Sequence, residues 1–396
     1  MIETSKYPDF ESALFLNDHI SKTLEFYEDR AFDSNGGFFH SFEDDGRIYE
    51  HDRRHLVSSC RFVFDYALAY RKRGELRHRN KALHGLAFLN SDHRQKNGSY
   101  AWQVEKGEVI EGQVMAYGHA FVMIAAAYAL DAGIEEARST LNDVWNFMEE
   151  HFWQPEHGAY ADEYSADMSA LSPYRGQNAN MHSCEGCIAA YRASGDERYL
   201  SRAEALAIKF TVELANLTGD FIWEHYDASW KPDFKYNKDK PNDLFRPWGI
   251  QPGHMVEWAR LLLTLDTIRP QPWYLDRAID LYGKAMQHGR DLEYGGLVYG
   301  FGLDGSICAQ EKYYWVHSET AATAWRLFSR TGDESYRQDY LEVWRYSWDH
   351  FVDHVHGAWF RVLTPEGNKI DNQKSPPGKT DYHTLGVCWD ILSVSV

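Results

Sequence analysis

The sequence has little positive charge for its length. Among its 396 residues, Lys and Arg number 41 against 59 Asp and Glu, which gives a formal net charge of −18. Nucleic acids and anionic membrane surfaces are bound by basic protein faces, so this balance argues against both kinds of partner and leaves room only for locally basic pockets. We therefore expect no nucleic-acid and no membrane partner.

Long apolar runs and abundant cysteine are also missing. No apolar run approaches the length of a membrane-spanning helix, and Met1 to Lys6 lack the charged-then-apolar order of a signal peptide. The five cysteines are an odd number and show no disulfide framework, which is typical of a reducing compartment. From these absences we expect a soluble, cytoplasmic protein.

The short motifs of several enzyme classes are absent as well, namely HExxH, the P-loop and G-x-S-x-G. A single CxxC pair, Cys184 and Cys187, has no second pair, so core packing is favoured over metal or redox chemistry. Aromatic residues, in contrast, make up 15% of the chain, with 14 Trp and 25 Tyr. Sugar-binding clefts are often lined by such rings, although filling a large helical core accounts for most of them at least as well.

A short pattern, in which glycine precedes aromatic and strand-forming residues, recurs six times. The intervals between copies are 61, 60, 61, 77 and 61 residues. Several copies end in a turn such as Asp45-Gly46 or Asp304-Gly305, which predicts a short β-hairpin. The excess in the fourth interval falls around Pro241 to Pro247. The copies are marked by the following glycines: Gly37, Gly98, Gly158, Gly219, Gly296 and Gly357.

Between the hairpins the sequence predicts pairs of helices. Residues 120–130 are apolar nearly all round, as in a helix buried on all sides, whereas residues 137–152 carry apolar side chains at amphipathic spacing. Six such pairs predict an all-α fold, an (α/α)6 barrel with short β-hairpins at the cleft end, formed by a single catalytic domain over residues 1–396. A linear solenoid of helix pairs is the competing architecture. The uniformly apolar inner helices favour closure.

Histidine recurs near the start of each predicted inner helix, at intervals of 64, 63, 72, 63 and 66 residues. A structural bond to a neighbouring loop explains most single histidines in such places. The set as a whole, with Arg, Asn, Trp and Glu beside it, instead predicts an active site in the central cleft. Glu257 follows His254 by three residues, so we expect it to orient that imidazole. The six histidines are His55, His119, His182, His254, His317 and His383.

With these residues the chain resembles the N-acylglucosamine 2-epimerase superfamily, and within it the branch of mannose and sulfoquinovose isomerases. The resemblance covers essentially the whole chain. It implies an (α/α)6 barrel that interconverts an aldose and a ketose without metal or cofactor, with D-mannose and D-fructose as the expected monosaccharides and D-lyxose as a further substrate. It is carried by four segments: Arg54 to Phe62, Asn178 to His182, Pro252 to Trp258 and Lys379 to His383.

The resemblance also implies roles for individual residues. His254 and His383 would be the catalytic acid/base pair. Our hypothesis for the mechanism is that His254 moves a proton between C2 and C1 and His383 assists ring opening, while Arg54 and His182 align the sugar and stabilise the enediolate. The substrate-binding residues implied in this way are Arg54, Tyr117, Asn178, His182, Glu257, Trp315 and Glu319, of which Tyr117 is a looser match.

Several alternatives stay open at this point. A 2-epimerase differs from an isomerase only in where the shared enediol is reprotonated. A sulfoquinovose isomerase would need additional cations, and none is evident among the ring positions. A glycoside hydrolase would need two carboxylates flanking the glycosidic bond, a non-catalytic sugar-binding protein would not need so many titratable groups, and a metal-dependent isomerase is conceivable because His and Glu bind divalent ions. No heptad or apolar stripe indicates an oligomeric state.

Overall fold

The computed structural model describes residues 6–394, and their architecture is an (α/α)6 barrel, as predicted. Short π-helical turns, Leu89–His93, Met148–Phe152 and Lys209–Leu214, extend three of the helices. The α-helices of the described chain are α1 (Ala13–Glu28), α2 (Leu56–Arg73), α3 (Leu76–Phe88), α4 (Ala116–Asp131), α5 (Ala137–Phe147), α6 (Gln177–Ser194), α7 (Glu197–Ile208), α8 (Pro252–Ile268), α9 (Pro272–Gly289), α10 (Tyr314–Thr331), α11 (Glu334–His350) and α12 (Tyr382–Ser393).

The even-numbered helices form the inner ring and the odd-numbered helices the outer ring. Helix α4 is buried nearly all round, as its composition predicts, whereas α5 buries only one face. Each inner helix packs against its two neighbours in the ring, and α12 packs against α2, so the ring closes and the solenoid is excluded. The sixth pair joins the two ends of the chain, because α12 is covered by α1.

The hairpins form a second ring at one end of the barrel. The strand just before an inner helix pairs with a strand of the next hairpin, as Arg53–His55 does with Gln103–Glu105. A bridge between Glu43 and Gln373 links the last segment to the first hairpin. The strands are Ser41–Phe42, Ile48–Glu50, Arg53–His55, Gln103–Glu105, Glu108–Glu111, Val114–Met115, Trp153–Gln154, Ala159–Tyr160, Glu163–Tyr164, Arg175–Gly176, His225–Tyr226, Gly300–Phe301, Ile307–Ala309, Lys312–Tyr313 and Val362–Leu363.

Two further observations concern membrane-spanning helices and cysteines. Within the described residues, no helix is both long and apolar enough to cross a membrane. All five cysteines are free thiols, and Cys184 and Cys187 are buried in the core, in agreement with the interpretation of the CxxC pair as packing.

Candidate active site

A cavity lies at the hairpin end of the barrel, where the inner helices begin. Its lining combines titratable and aromatic side chains. The lining residues are Arg61, Tyr117, Asn178, His182, Leu244, Phe245, Pro247, His254, Glu257, Tyr299, Trp315, Lys379 and His383.

The positions that line this cavity follow from helix geometry. Residues four apart lie on the same face of a helix, so the second and sixth residues of an inner helix point in the same direction. The second residue of four inner helices lines the cavity, and the sixth residue of three inner helices does so as well. Those seven residues are Tyr117, Asn178, Trp315 and His383 in the second position, and Arg61, His182 and Glu257 in the sixth.

His254 is held by a buried carboxylate. Its Nδ1 lies 2.8 Å from Glu224 Oε1, and Glu224 is only 2% exposed. Gln177 Nε2 donates to the other oxygen of Glu224 at 3.0 Å, so both carboxylate oxygens accept a hydrogen bond. With Nδ1 donating to Glu224, the Nε2 atom of His254 is the nitrogen available in the cavity. This is the arrangement in which an imidazole acts as a general base and its protonated form is stabilised.

His383 is held in the same way from the other side. Its Nδ1 lies 2.8 Å from Glu319 Oε1, and Arg260 Nε donates to Glu319 Oε2 at 2.7 Å. Burial raises the pKa of Glu319 and lowers the pKa of His383 well below 6.5, so this imidazole is neutral at neutral pH. Its Nε2 faces the Arg61 guanidinium at 3.4 Å.

A third histidine and two further carboxylates complete the polar network at the cavity floor. His182 Nδ1 lies 3.0 Å from Glu185 Oε2, and burial lowers the pKa of His182 to about 4. Glu257 lies 3.9 Å from the same Nδ1. Burial and the neighbouring Glu319 raise the pKa of Glu257 well above 4.5, which makes it a neutral carboxylic acid at neutral pH.

Trp315 forms one wall of the cavity and lies between the two histidines of the expected acid/base pair. Its ring centroid is 5.0 Å from that of His254 and 5.8 Å from that of His383. Gly253 makes room for this indole, because a Cβ at that position would come within 2.4 Å of the Trp315 ring. The glycine in the segment Pro252 to Trp258 is therefore required by the packing of the wall.

Several buried polar atoms of the cavity have no hydrogen-bond partner within the described chain. They are Arg61 Nε, Asn178 Oδ1, Glu257 Oε1 and Trp315 Nε1. Each unpaired buried group costs about 1–3 kcal/mol, and four of them in one cavity are expected where a ligand supplies the missing partners. The set includes donors and acceptors, which suits the hydroxyl groups of a sugar.

The insertion in the fourth repeat covers the cavity. Phe245 stacks on His55, with ring centroids 5.8 Å apart and planes within 4°, and it also contacts Trp102. Phe245, Tyr117 and Asn178 line both the inner cavity and an outer one beneath the insertion, so these three side chains separate the two chambers. A ligand that enters from the hairpin end therefore passes this partition.

The structure brings together seven of the nine site residues that the sequence analysis names. His254, His383, Tyr117, Asn178, His182, Glu257 and Trp315 all line the cavity. Arg54 and Glu319 do not. Glu319 lies behind His383, and Arg54 lies in the strand Arg53–His55, where its guanidinium is 2.7 Å from Asp33 and stacks on Phe39.

Two further expectations about individual residues need correction. Glu257 does not orient His254, because Glu224 occupies that place and Glu257 faces His182.

The six histidines are not equivalent either. His119 and His317 are structural, since each binds the carbonyl of the residue four before it through Nδ1 and accepts a hairpin N–H at Nε2. Asn180 has the same role in α6.

The sequence analysis missed two cations in the cavity, Arg61 and Lys379. Arg61 lies six residues after His55, within the segment that carries the family resemblance, and matching it by helix position with His182 would have found it. Lys379 precedes α12 in a turn that Arg61 and Ser58 hold by hydrogen bonds to Gly378. The expectation that the ring has no additional Arg or Lys is therefore wrong.

Two groups of side chains could bind a metal ion as far as distance is concerned. The ligand atoms of His182, Glu185 and Glu257, and those of Glu257, Glu319 and His383, lie within 4.8 Å of one another. The Arg260 guanidinium lies among these carboxylates, 2.7 Å from Glu319 and 3.3 Å from Glu185. Its positive charge opposes a divalent cation in either place.

Comparisons with known proteins identify the family of the chain. The profile of the N-acylglucosamine 2-epimerase (GlcNAc 2-epimerase) family matches residues 37–387. A D-mannose isomerase of Marinomonas mediterranea is 45% identical over 387 residues, which are 98% of each chain. A crystal structure of D-mannose isomerase superimposes with a TM-score of 0.97 at 44% identity, covering 98% of this chain and 100% of the other. A cellobiose 2-epimerase of Bacillus thermoamylovorans shares the fold, with a TM-score of 0.85 at 19% identity over 96% of this chain and 100% of the other.

Proposed function

The chain belongs to the N-acylglucosamine 2-epimerase family, and on this premise we propose that it is an aldose–ketose isomerase that interconverts D-mannose and D-fructose. The observation that carries the proposal is the pair His254 and His383, each bound at Nδ1 by a buried carboxylate and each with Nε2 in the same cavity. The 45% identity to a D-mannose isomerase over the full length supports this substrate. The cytoplasmic location expected from the sequence stays a prediction.

The reaction begins with ring opening, which moves a proton from the anomeric hydroxyl to the ring oxygen. His383 suits this step because its neutral imidazole has Nε2 in the cavity and its Nδ1 hydrogen bonded to Glu319. The Trp315 wall between the two histidines holds the sugar so that both imidazoles reach it.

The second step is removal of the C2 proton by His254. The imidazolium formed in this step is stabilised by Glu224, whose oxygen lies 2.8 Å from Nδ1. Return of the same proton to C1, together with transfer of the O2 hydroxyl proton towards O1, yields the ketose. Return of a proton to the opposite face of C2 would yield the epimer.

The enediolate intermediate carries negative charge on oxygen and needs donors. We assign this role to Arg61 in place of Arg54, because Arg61 lies in the cavity beside His383 and has an unpartnered Nε. His182, whose Nδ1 donates to Glu185, presents Nε2 as an acceptor, so it binds a sugar hydroxyl and not the oxyanion. The neutral Glu257 can donate to another hydroxyl.

Proton NMR of the EDTA-treated protein with D-mannose in D2O tests the proposal. Formation of D-fructose at the rate of untreated protein is the expected result, and deuterium at C1 would report exchange of the shuttled proton. Formation of D-glucose alone would assign the chain to the 2-epimerases. Loss of activity in EDTA that Mn²⁺ or Mg²⁺ restores would instead establish a metal-dependent isomerase.

A further inference from the structure

The side chain of Lys379 is largely buried, and its amine has no partner in the described chain. The residue is 9% exposed and lines the cavity, yet no acceptor in the described chain lies within hydrogen-bond or ion-pair distance of its Nζ. Other buried lysines of the chain are paired. Lys374, five residues earlier, has its Nζ 2.6 Å from Asp353 Oδ2 and 3.0 Å from the Gly357 carbonyl. An unpaired buried charge is costly, which points to a partner that the protein does not contain.

The charges around Lys379 indicate what that partner is. Burial, together with repulsion by Arg61, which faces the same cavity, lowers the pKa of Lys379 to about 7. Glu257, the carboxyl that attracts this amine in the described part of the chain, is itself held neutral by its surroundings. An anion bound between two cations that face one cavity relieves the repulsion between them. D-mannose and D-fructose are both neutral, so the anion of the proposed reaction is the enediolate.

We infer that Lys379 is a substrate-contacting catalytic residue, whose ammonium group donates hydrogen bonds to the C1 and C2 oxygens and, with Arg61, stabilises the negative charge of the enediolate. This inference rests on the proposed function. Because the charge exists only in the intermediate and the adjoining transition states, Lys379 contributes to kcat more than to KM. An anionic sugar as the true substrate is the competing explanation of the same two cations.

The pH dependence follows from the groups that face this amine. A protonated Lys379 is required, so the wild-type kcat/KM falls as the pH rises through about 7, the pKa to which burial and Arg61 lower it. The titratable or charged groups that interact with it from the neighbouring elements are His55 and Arg61 at the start of α2, Glu257 of α8, Arg361 of the last hairpin and His383 of α12.

Three variants test the inference: Lys379→Met, Lys379→Arg and, as a matched control, Lys374→Met. We expect K379M to lower kcat on D-mannose by about 10²-fold, as removal of an oxyanion donor does in other enzymes, with KM changed less than about threefold. K379R should recover part of the rate and lose the alkaline decline near pH 7, since arginine stays protonated. Loss of deuterium from C2 of [2-²H]-D-mannose, whether it passes to C1 of the ketose or to solvent, reports enediolate formation and should slow in parallel with kcat.

Thermal unfolding separates this role from a structural one. K379M should keep or raise the Tm, because it removes an amine that has no partner in the described chain. K374M should lower the Tm, because it removes the ion pair that Lys374 forms with the buried Asp353. A K379M enzyme with near-normal kcat on D-mannose overturns the inference. The inference also fails if K379M loses activity on D-mannose 6-phosphate selectively, relative to its activity on D-mannose. Failure of the wild-type protein to convert D-mannose would contradict the proposed function instead, so the two outcomes are distinct.

Discussion

Glu224 is the residue on which the proposed role of His254 depends most directly. In Glu224→Gln the side chain keeps its shape, but the two contacts of the carboxylate both come from donors, His254 Nδ1 at 2.8 Å and Gln177 Nε2 at 3.0 Å. An amide has one acceptor oxygen, so one of these donors must face an NH2 group. The loss of a buried hydrogen bond to a charged group amounts to about 1.5–3 kcal/mol, which is about 10- to 150-fold in rate.

Initial rates of D-fructose formation from D-mannose, measured over a range of substrate concentrations, provide the assay. The loss should appear in kcat with KM nearly unchanged, because Glu224 does not line the cavity. Glu185→Gln is the matched control, since it removes the equivalent bond to His182, and its effect should appear mainly in KM. A kcat for E224Q within about threefold of wild type would refute the reasoning that His254 depends on this carboxylate.

Substitutions at four further positions test the packing and the placement of the site. Gly253→Ala places a Cβ within 2.4 Å of the Trp315 ring, so the displaced indole should lower kcat/KM by about 10-fold or more with a modest change in Tm. His119→Ala should lower stability by about 1–3 kcal/mol without changing kcat, and His119→Asn should restore the Tm. Arg61→Met should lower kcat by about 10²-fold. Arg54→Met should instead lower the Tm with kcat retained, because it removes the ion pair with the largely buried Asp33. The reverse pattern would return Arg54 to the active site.

Much of the architecture is predictable because it is repeated. A spacing of about 61 residues between hairpins and the all-round apolar character of segments such as residues 120–130 are local, periodic signals. Six repeats of this kind can form either a closed ring or a linear solenoid. The choice between these depends on contacts between the ends of the chain, namely α1 with α12 and Glu43 with Gln373, and no local pattern encodes them.

In the candidate site, too, some residues could be predicted from the sequence and others only from the tertiary structure. His254 and His383 were predictable, since their segments resemble a known family. Arg54 and Arg61 are both basic residues near the start of α2, but their side chains point in different directions. Arg54 lies in a strand and turns towards Asp33, whereas Arg61 lies on the inward face of the helix.

The sequence by itself determined the helix pairs and the hairpins and identified the two histidines as candidates, because each signal depends on residues near one another in the chain. Only the tertiary structure decided which carboxylate holds each histidine, that Lys379 and Arg61 face one cavity, and that the insertion around Phe245 covers it. Glu224 lies 30 residues before His254, and Glu319 lies 64 before His383. Such partners come into contact only when the barrel closes, and burial then sets their protonation. No local sequence motif therefore predicts either the contact or the charge state.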